Sequence, residues 1–361
     1  MKNYVTLGEV CSKGSSNIAQ KDIELNTGKY SIFGASGYIK DVDFYHQENP
    51  YVAVVKDGAG IGRTMLLPAK TSVIGTMQYL IPNELVDVKY LYYAVTYMNL
   101  SKYFSGATIP HIYFKDYRKE LLPLPTIEQQ KVITSNLSKV DKLITLCKSL
   151  CDRFDLIVKS RFVEMFGDPE ADTCTYKTTK LKELAVKISD GVHSKPEYTN
   201  NGKPFLSVVN INRKRIDFSD CKYVSEEAYQ KMIKSTHPEK GDVLYTKVGA
   251  TYGIPAYVDT EKEFCLYVSV CLIKPKHELI NSKFLAIQMD MPYIKHQADR
   301  RIKGIGVPDL HLNQISDFDI IVPPRKLQDS FVAFVEQIDK SKYLAERLKK
   351  NIRRVKIYDQ F

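Results

Sequence analysis

Nowhere in the 361 residues do about eighteen apolar side chains run together. The stretch Met1 to Val10 also lacks a basic segment leading into an apolar one. The expectation is a cytoplasmic chain, neither exported nor membrane-spanning. Cysteine usage agrees: there are seven, an odd number, and no two form a Cys-x-x-Cys pair. Cys265 and Cys271 lie in an apolar, strand-like run with no His or Cys at zinc-site spacing, so they are expected in the core and no metal site is assigned.

Several catalytic signatures are missing too. A Walker-type phosphate loop needs Gly-Lys-Ser/Thr after an earlier Gly, and neither Gly34-Ala35-Ser36-Gly37 nor Gly202-Lys203-Pro204 supplies it. Gly58-Ala59-Gly60-Ile61-Gly62 opens into a strand, leaving no helix N-terminus to receive a pyrophosphate. Val322-Pro323-Pro324-Arg325 lacks the polar first and aromatic last residues of an amino-methyltransferase signature. Asp87-Val88-Lys89 is a lone nuclease-like fragment at a helix start, where Asp is expected as a cap. The histidines sit mostly in polar or loop contexts, where they read as surface or structural residues. No catalytic residue is assigned.

Proline and glycine are absent from two long stretches, Ile127 to Phe166 and Arg325 to Phe361, and there the chain reads as helix. Ile133, Leu137, Val140, Ile144, Cys147, Cys151, Phe154 and Val158 recur at alternating steps of four and three, the seam of a supercoiled helix. Phe331, Phe334, Ile338, Ser341, Ala345, Leu348, Ile352 and Val355 follow the same alternation, with Ser341 the one polar member. Two such helices most simply pair with each other, antiparallel, as a coiled coil. At 1.5 Å per residue the first is a rod of roughly 60 Å, a spacer.

Around these helices the chain repeats itself. Leu7-Gly8-Glu9-Val10 returns as Leu181-Lys182-Glu183-Leu184, and Lys56, Gly58, Ala59 and Gly62 return at one constant offset as Lys247, Gly249, Ala250 and Gly253. The loop from Gly106 to Ile112 returns as Gly304 to Leu310, and Leu122-Pro123-Leu124-Pro125 as Ile321-Val322-Pro323-Pro324, with Gln129 in step with Gln328. Helices are expected from about Asp87 to Phe104 and from Asn281 to Ala298. The repeat is too long for a solenoid unit and implies a duplicated globular domain plus helix, an α+β chain. The boundaries expected are 1–125, 126–170, 171–324 and 325–361.

The formal net charge of +10 and pI near 9.0 point to a polyanionic partner, nucleic acid or an acidic membrane. Loops between strands can carry basic and amide side chains into a major groove while scattered cations hold phosphates. Candidates in the first domain are Lys56, Arg63, Gln78, His111 and Lys115. In the second they are His193, Lys195, Arg213, Lys214, Arg215, Lys247, Tyr252, Arg300, Arg301 and Lys303. The last helix is crowded with Lys and Arg, a face for DNA or for a partner protein.

The order of these parts resembles the specificity subunits of type I restriction-modification systems. The resemblance covers nearly the whole chain. It rests on the duplication, on Leu122-Pro123-Leu124-Pro125-Thr126-Ile127-Glu128-Gln129-Gln130 entering the first long helix, and on Arg161 to Pro169 leaving it. Asp190-Gly191-Val192-His193 and the loops ending Ile109-Pro110-His111 and Val307-Pro308-Asp309-Leu310 are similar to stretches of the family's target recognition domains. The resemblance implies a non-catalytic subunit whose two target recognition domains each read half of a split, gapped sequence in double-stranded DNA. The helices would set the gap and dock two methyltransferase subunits, which bind S-adenosylmethionine and methylate adenine N6. Restriction subunits, using ATP and Mg, would join them. The second helix entry, Val322 to Gln328, lacks the Glu of the first, which leaves the equivalence of the two docking ends open. Two alternatives also stay open: a coiled-coil protein scaffold, and a stand-alone nucleic-acid-modifying enzyme that binds S-adenosylmethionine unaided. The two loop sets differ, so an asymmetric site is expected.

Overall fold

The fold is described from a computed structural model covering residues 4–106, 110–171, 173–212, 215–302 and 306–358, with side chains through Ile352 except that of Asn212. The chain forms two compact units, residues 1–149 with 345–361 and residues 150–344.

Unit one is built on a four-stranded antiparallel sheet in the order Cys11–Ser15, Met77–Pro82, Tyr51–Val55, Thr64–Leu67. All five residues of Tyr51–Val55 are buried, because both faces of this strand are covered. Val52 and Val54 pack with Leu7, Leu91 and Val95 on the side of the helix Val88–Tyr97, while Tyr51, Ala53 and Val55 meet Met77 and Tyr79 on the other. A three-stranded sheet, Gly37–Val42, Tyr30–Gly34, Ser72–Val73, and the pair Tyr4–Thr6 with Leu121–Pro123 complete the unit.

Unit two repeats each part. Its four-stranded sheet runs Ala185–Asp190, Val270–Pro275, Val243–Thr246, Pro255–Tyr257. Its three-stranded sheet runs Lys222–Val224, Lys203–Leu206, Cys265–Leu266, and Thr178–Lys180 pairs with Asp319–Ile321. In both three-stranded sheets one neighbour of the middle strand is antiparallel and the other parallel.

The two shorter helices expected from the sequence need correction. The first ends at Tyr97, because Asn99 takes a left-handed conformation (φ +50°) before a 3-10 turn at Leu100–Tyr103. The second is split into Ser282–Met289 and Pro292–Arg301, because Pro292 cannot donate to the preceding turn and starts a new helix instead. Asp87 caps the first, accepting from the Lys89 and Tyr90 amides, and Asn281 caps its counterpart in the same way.

The long helices span Ile127–Phe166 and Arg325–Tyr358. Within unit two they run antiparallel. The Phe162 and Phe331 rings lie 5.7 Å apart, and the Lys342 ammonium reaches Asp155 at 2.7 Å. Phe162, Phe166, Phe284 and Phe331 form one aromatic cluster that joins both helices to the domain, edge-to-face except for the stacked Phe162 and Phe284 rings. On the first helix Leu137 and Cys147 are buried, and Ile133, Val140, Ile144, Cys151, Phe154 and Val158 are half-buried. On the second, Phe331 and Ala345 are buried and Phe334, Ile338 and Ile352 half-buried. Leu348 is 52% exposed, and the Val355 side chain lies outside the described residues. A strict seam also overlooks Val332 and Val335, which are buried because the first turns dock a broad face on their own domain.

Each long helix is fastened by one buried glutamine. Gln130 accepts from the Asp87 amide at 2.8 Å and donates to the Leu85 and Pro125 carbonyls at 3.0 and 2.9 Å. Gln328 accepts from the Asn281 amide at 2.8 Å and donates to Pro323 at 2.8 Å and Leu279 at 3.4 Å. The partner of Gln328 is therefore Gln130, not Gln129. Gln129 is exposed and closes a cap with Thr126.

Candidate nucleic-acid interface

The glycine-rich turn after the central strand has the same backbone frame in both units. In unit one Val55 donates to the Arg63 carbonyl and Gly62 to Val55; in unit two Thr246 donates to Ile254 and Gly253 to Thr246. Gly58, Gly62, Gly249 and Gly253 all have φ between +78° and +89°, a region that side chains resist, so the matched glycines are needed for the turn itself. Against each turn lies a second loop. Gly58 donates to the Pro110 carbonyl at 2.9 Å and Ile112 to Lys56 at 3.0 Å; Gly249 donates to Pro308 at 2.8 Å and Leu310 to Lys247 at 2.9 Å.

Side chains close the same junction by different means. In unit one the Asp57 carboxylate lies 2.7 Å from both the Lys56 ammonium and His111 Nδ1. Partial burial raises its pKa, but the hydrogen bonds from Lys56 and His111 outweigh this and hold it below the usual carboxylate value. In unit two Val248 takes the place of Asp57, and Asp309 that of His111. Lys247 there has a side chain only 5% exposed, 3.4 Å from Asp309 and 3.6 Å from Asp190. Burial pushes the Asp190 carboxyl up, against the pull of Lys247 and His193, and its Oδ1 is buried with no hydrogen-bond partner.

Around unit one's junction, Arg63 and Lys115 are exposed, and the Lys115 ammonium sits over the Tyr113 ring, itself stacked beside His111. Gln78 is different. It is 4% exposed and accepts from the Tyr117 hydroxyl, so its amide is engaged in the core. In unit two His193 is 78% exposed beside Asp190, and Lys195 and Lys222 flank the Tyr198 ring. Arg215 is exposed on a short hairpin with Ile211–Asn212. Tyr252 bonds Asp299 under the Lys295 ammonium, and Arg300 reaches Glu170 at 3.1 Å. Arg301 is turned inward, donating to the Gln297 and Asp317 carbonyls. Arg213, Lys214 and Lys303 lie outside the described residues.

The structure thus brings together Lys56, His111 and, beside them, Lys115 in unit one, and His193 with Lys247 in unit two. The acids Asp57, Asp190 and Asp309 at these junctions were not among the sequence candidates, which were chosen to meet a polyanion, although Asp190 and Asp309 lie in stretches that carry the family resemblance. The signal available was the repeat itself, since a position occupied by His in one copy and Asp in the other marks a changed pairing. Among the described residues no three His, Cys, Asp or Glu side chains gather as metal ligands, and no helix is long and apolar enough to cross a membrane.

The type I restriction modification DNA specificity domain matches residues 2–152 and again residues 174–354. The chain belongs to this family. Among curated members it is 22% identical over 324 residues to the MjaVIII specificity subunit of Methanocaldococcus jannaschii, covering 84% of this chain and 76% of that one. It is 21% identical to the EcoKI specificity subunit of Escherichia coli K12, over 90% of this chain and 69% of that one. Among solved structures, the S subunit of a type I restriction-modification system from M. genitalium superposes with a TM-score of 0.56 at 16% identity, covering 98% of this chain and 94% of the other; at that identity the likeness speaks for the fold. As a type I specificity subunit the chain serves DNA sequence recognition, and the two matched segments are its two repeated domains.

Proposed function

We propose that this specificity subunit reads a bipartite, gapped DNA site, one half through residues 1–125 and the other through residues 171–324. The segments 126–170 and 325–361 are the spacer helices, which set the gap and dock two adenine-N6 methyltransferase subunits and the restriction subunits. The chain itself is non-catalytic and works in the cytoplasm; S-adenosylmethionine, ATP and Mg belong to its partners. One observation carries this reading: the turn and loop junction occurs twice on a matching backbone frame, each time with basic and aromatic side chains beside it, Lys115 and Tyr113 next to His111 in one unit and Tyr252 with Lys295, and His193, in the other. The proposed DNA contacts are Lys56, Arg63, His111 and Lys115 in the first domain, and His193, Lys195, Arg213, Lys214, Arg215, Tyr252, Arg300 and Lys303 in the second. Such side chains can pair with base edges and hold phosphates. Gln78, Lys247 and Arg301 are left out of this set, since their polar atoms are engaged inside the protein.

The test is a genome-wide map of N6-methyladenine in the source cell with and without this gene. Loss of one gapped, two-part motif is expected on deletion, and exchanging residues 171–324 for those of another family member should change only one half of it. An unchanged map in a cell expressing the chain and its methyltransferase would sink the proposal.

A further inference from the structure

We propose that Lys247 in unit two and Asp57 in unit one are positioning residues, each clasping the glycine turn of its unit to the facing loop so that both loops meet DNA as one surface. This rests on the reading that each unit recognises one half-site.

Three observations converge. First, the facing loop is tied to the turn in each unit by a matching pair of backbone bonds, Gly58 to Pro110 with Ile112 to Lys56, and Gly249 to Pro308 with Leu310 to Lys247. The ion pairs cross that same junction. Second, Lys247 is buried between two carboxylates. It could reach a phosphate only by leaving both behind in a poorly solvated place, which is costly for a charge. Third, the place is kept while the chemistry changes. Unit one has its acid on the turn and its imidazole on the loop; unit two has its cation on the turn and its acid on the loop. The third member, Asp190, stands opposite Cys271 at the edge of the sheet, in the register that Ser15 holds opposite Gln78. A junction closed twice with inverted polarity is one whose closure matters more than the identity of either group. It places the loop without itself reading a base.

The test uses the complete chain assembled with its methyltransferase subunits. Once the methylated motif and the half read by residues 171–324 are known, methylation rates are measured on duplexes carrying the motif or one changed base pair in either half. Lys247→Met should lower discrimination in the second half by about tenfold, within what one base pair usually contributes, and leave the first half unchanged. Asp57→Asn should do the reverse. Asp309→Asn, which keeps Lys247 paired with Asp190, should give the Lys247→Met pattern more weakly and stands in should that variant not fold.

Two results overturn the proposal. If Lys247→Met slows all duplexes in proportion, with discrimination intact, Lys247 only supports the fold. If it weakens binding equally on all duplexes and lowers the salt slope by about one, Lys247 is a phosphate contact. A wild-type complex that discriminates in neither half would instead reject the half-site reading itself.

Discussion

Replacing Gln130 by Leu removes a single amide group from a site where the side chain is fully buried. The two side chains are close in size, so little cavity is made. What is lost is hydrogen bonding: the Asp87 amide and the Leu85 and Pro125 carbonyls each lose their partner. At about 1 kcal/mol for each buried group left unmatched, the substitution should cost about 3 kcal/mol. Because the Asp87 amide is bonded to the very atom removed, hydrogen exchange at that residue reads the effect directly. At 1.4 kcal/mol per factor of ten, its protection should fall by about a hundredfold, and urea unfolding should show an early loss in the same unit. Gln129→Leu is the control: that side chain is exposed and supports one helix cap, so it should cost at most about 1 kcal/mol. Equal, small effects for both substitutions would refute the claim that a buried glutamine fastens the helix to the domain.

Gly62 and Gly58 separate backbone strain from crowding. Both have positive φ, but a Cβ on Gly62 would lie 2.5 Å from the Ser101 nitrogen, whereas one on Gly58 meets nothing within 4 Å. Gly58→Ala should cost about 1 kcal/mol and Gly62→Ala about 2 kcal/mol more, measured by chemical unfolding. Asp57 has a folded-state pKa below its unfolded value, so its contribution is complete above the ordinary carboxylate value near about 4 and is lost as pH falls through the folded value. The wild type should therefore lose its stability advantage over Asp57→Asn below about pH 4, and parallel unfolding curves for the two through that range would contradict the pairing. Burial pushes the Cys11 and Cys265 thiols up to about 12. At pH 8 neither should be alkylated by iodoacetamide in the folded chain, as peptide mass mapping would show, and both should react in urea.

The long helices were legible because their signal is local: no Pro or Gly for a whole stretch, and a repeating apolar step. The duplication was legible because glycines with positive φ cannot drift, and those at 58, 62, 249 and 253 kept one spacing. The register of Gln328 was not, since Gln129 and Gln130 are adjacent and only burial tells which one faces the domain. The helix run through Pro292 weighed apolar spacing above the missing amide, and Asn99 gave no comparable warning. Gln78 reads as a polar residue free to contact a base until its strand is found between two others, where its amide turns to Tyr117. The groups paired across the two junctions come from segments more than fifty residues apart, Asp57 with His111 in one and Lys247 with Asp309 in the other. No local pattern announces such a pair.

The division of labour within each unit makes one further outcome testable. The frame of each junction is made of backbone hydrogen bonds and glycine turns, closed in each unit by one ion-paired clasp, and it does not depend on the other side chains at its rim. Side chains that point away from the clasp can therefore change without disturbing the frame, and they have: Arg63 is matched by Ile254, and Ile61 by Tyr252. Larger changes are also absorbed. Where Ala35 and Ser36 alone join Tyr30–Gly34 to Gly37–Val42, the second unit carries everything from Ser207 to Cys221, including the hairpin of Ile211–Asn212 and Arg215–Ile216, between Lys203–Leu206 and Lys222–Val224. Bidentate contacts to bases depend on which donors and acceptors a side chain presents, so rims this different should not select the same base pairs. The methylated motif should accordingly have two unlike halves. A palindromic motif in the methylation map would mean that recognition is carried by the shared frame, through groove shape, rather than by the side chains around it.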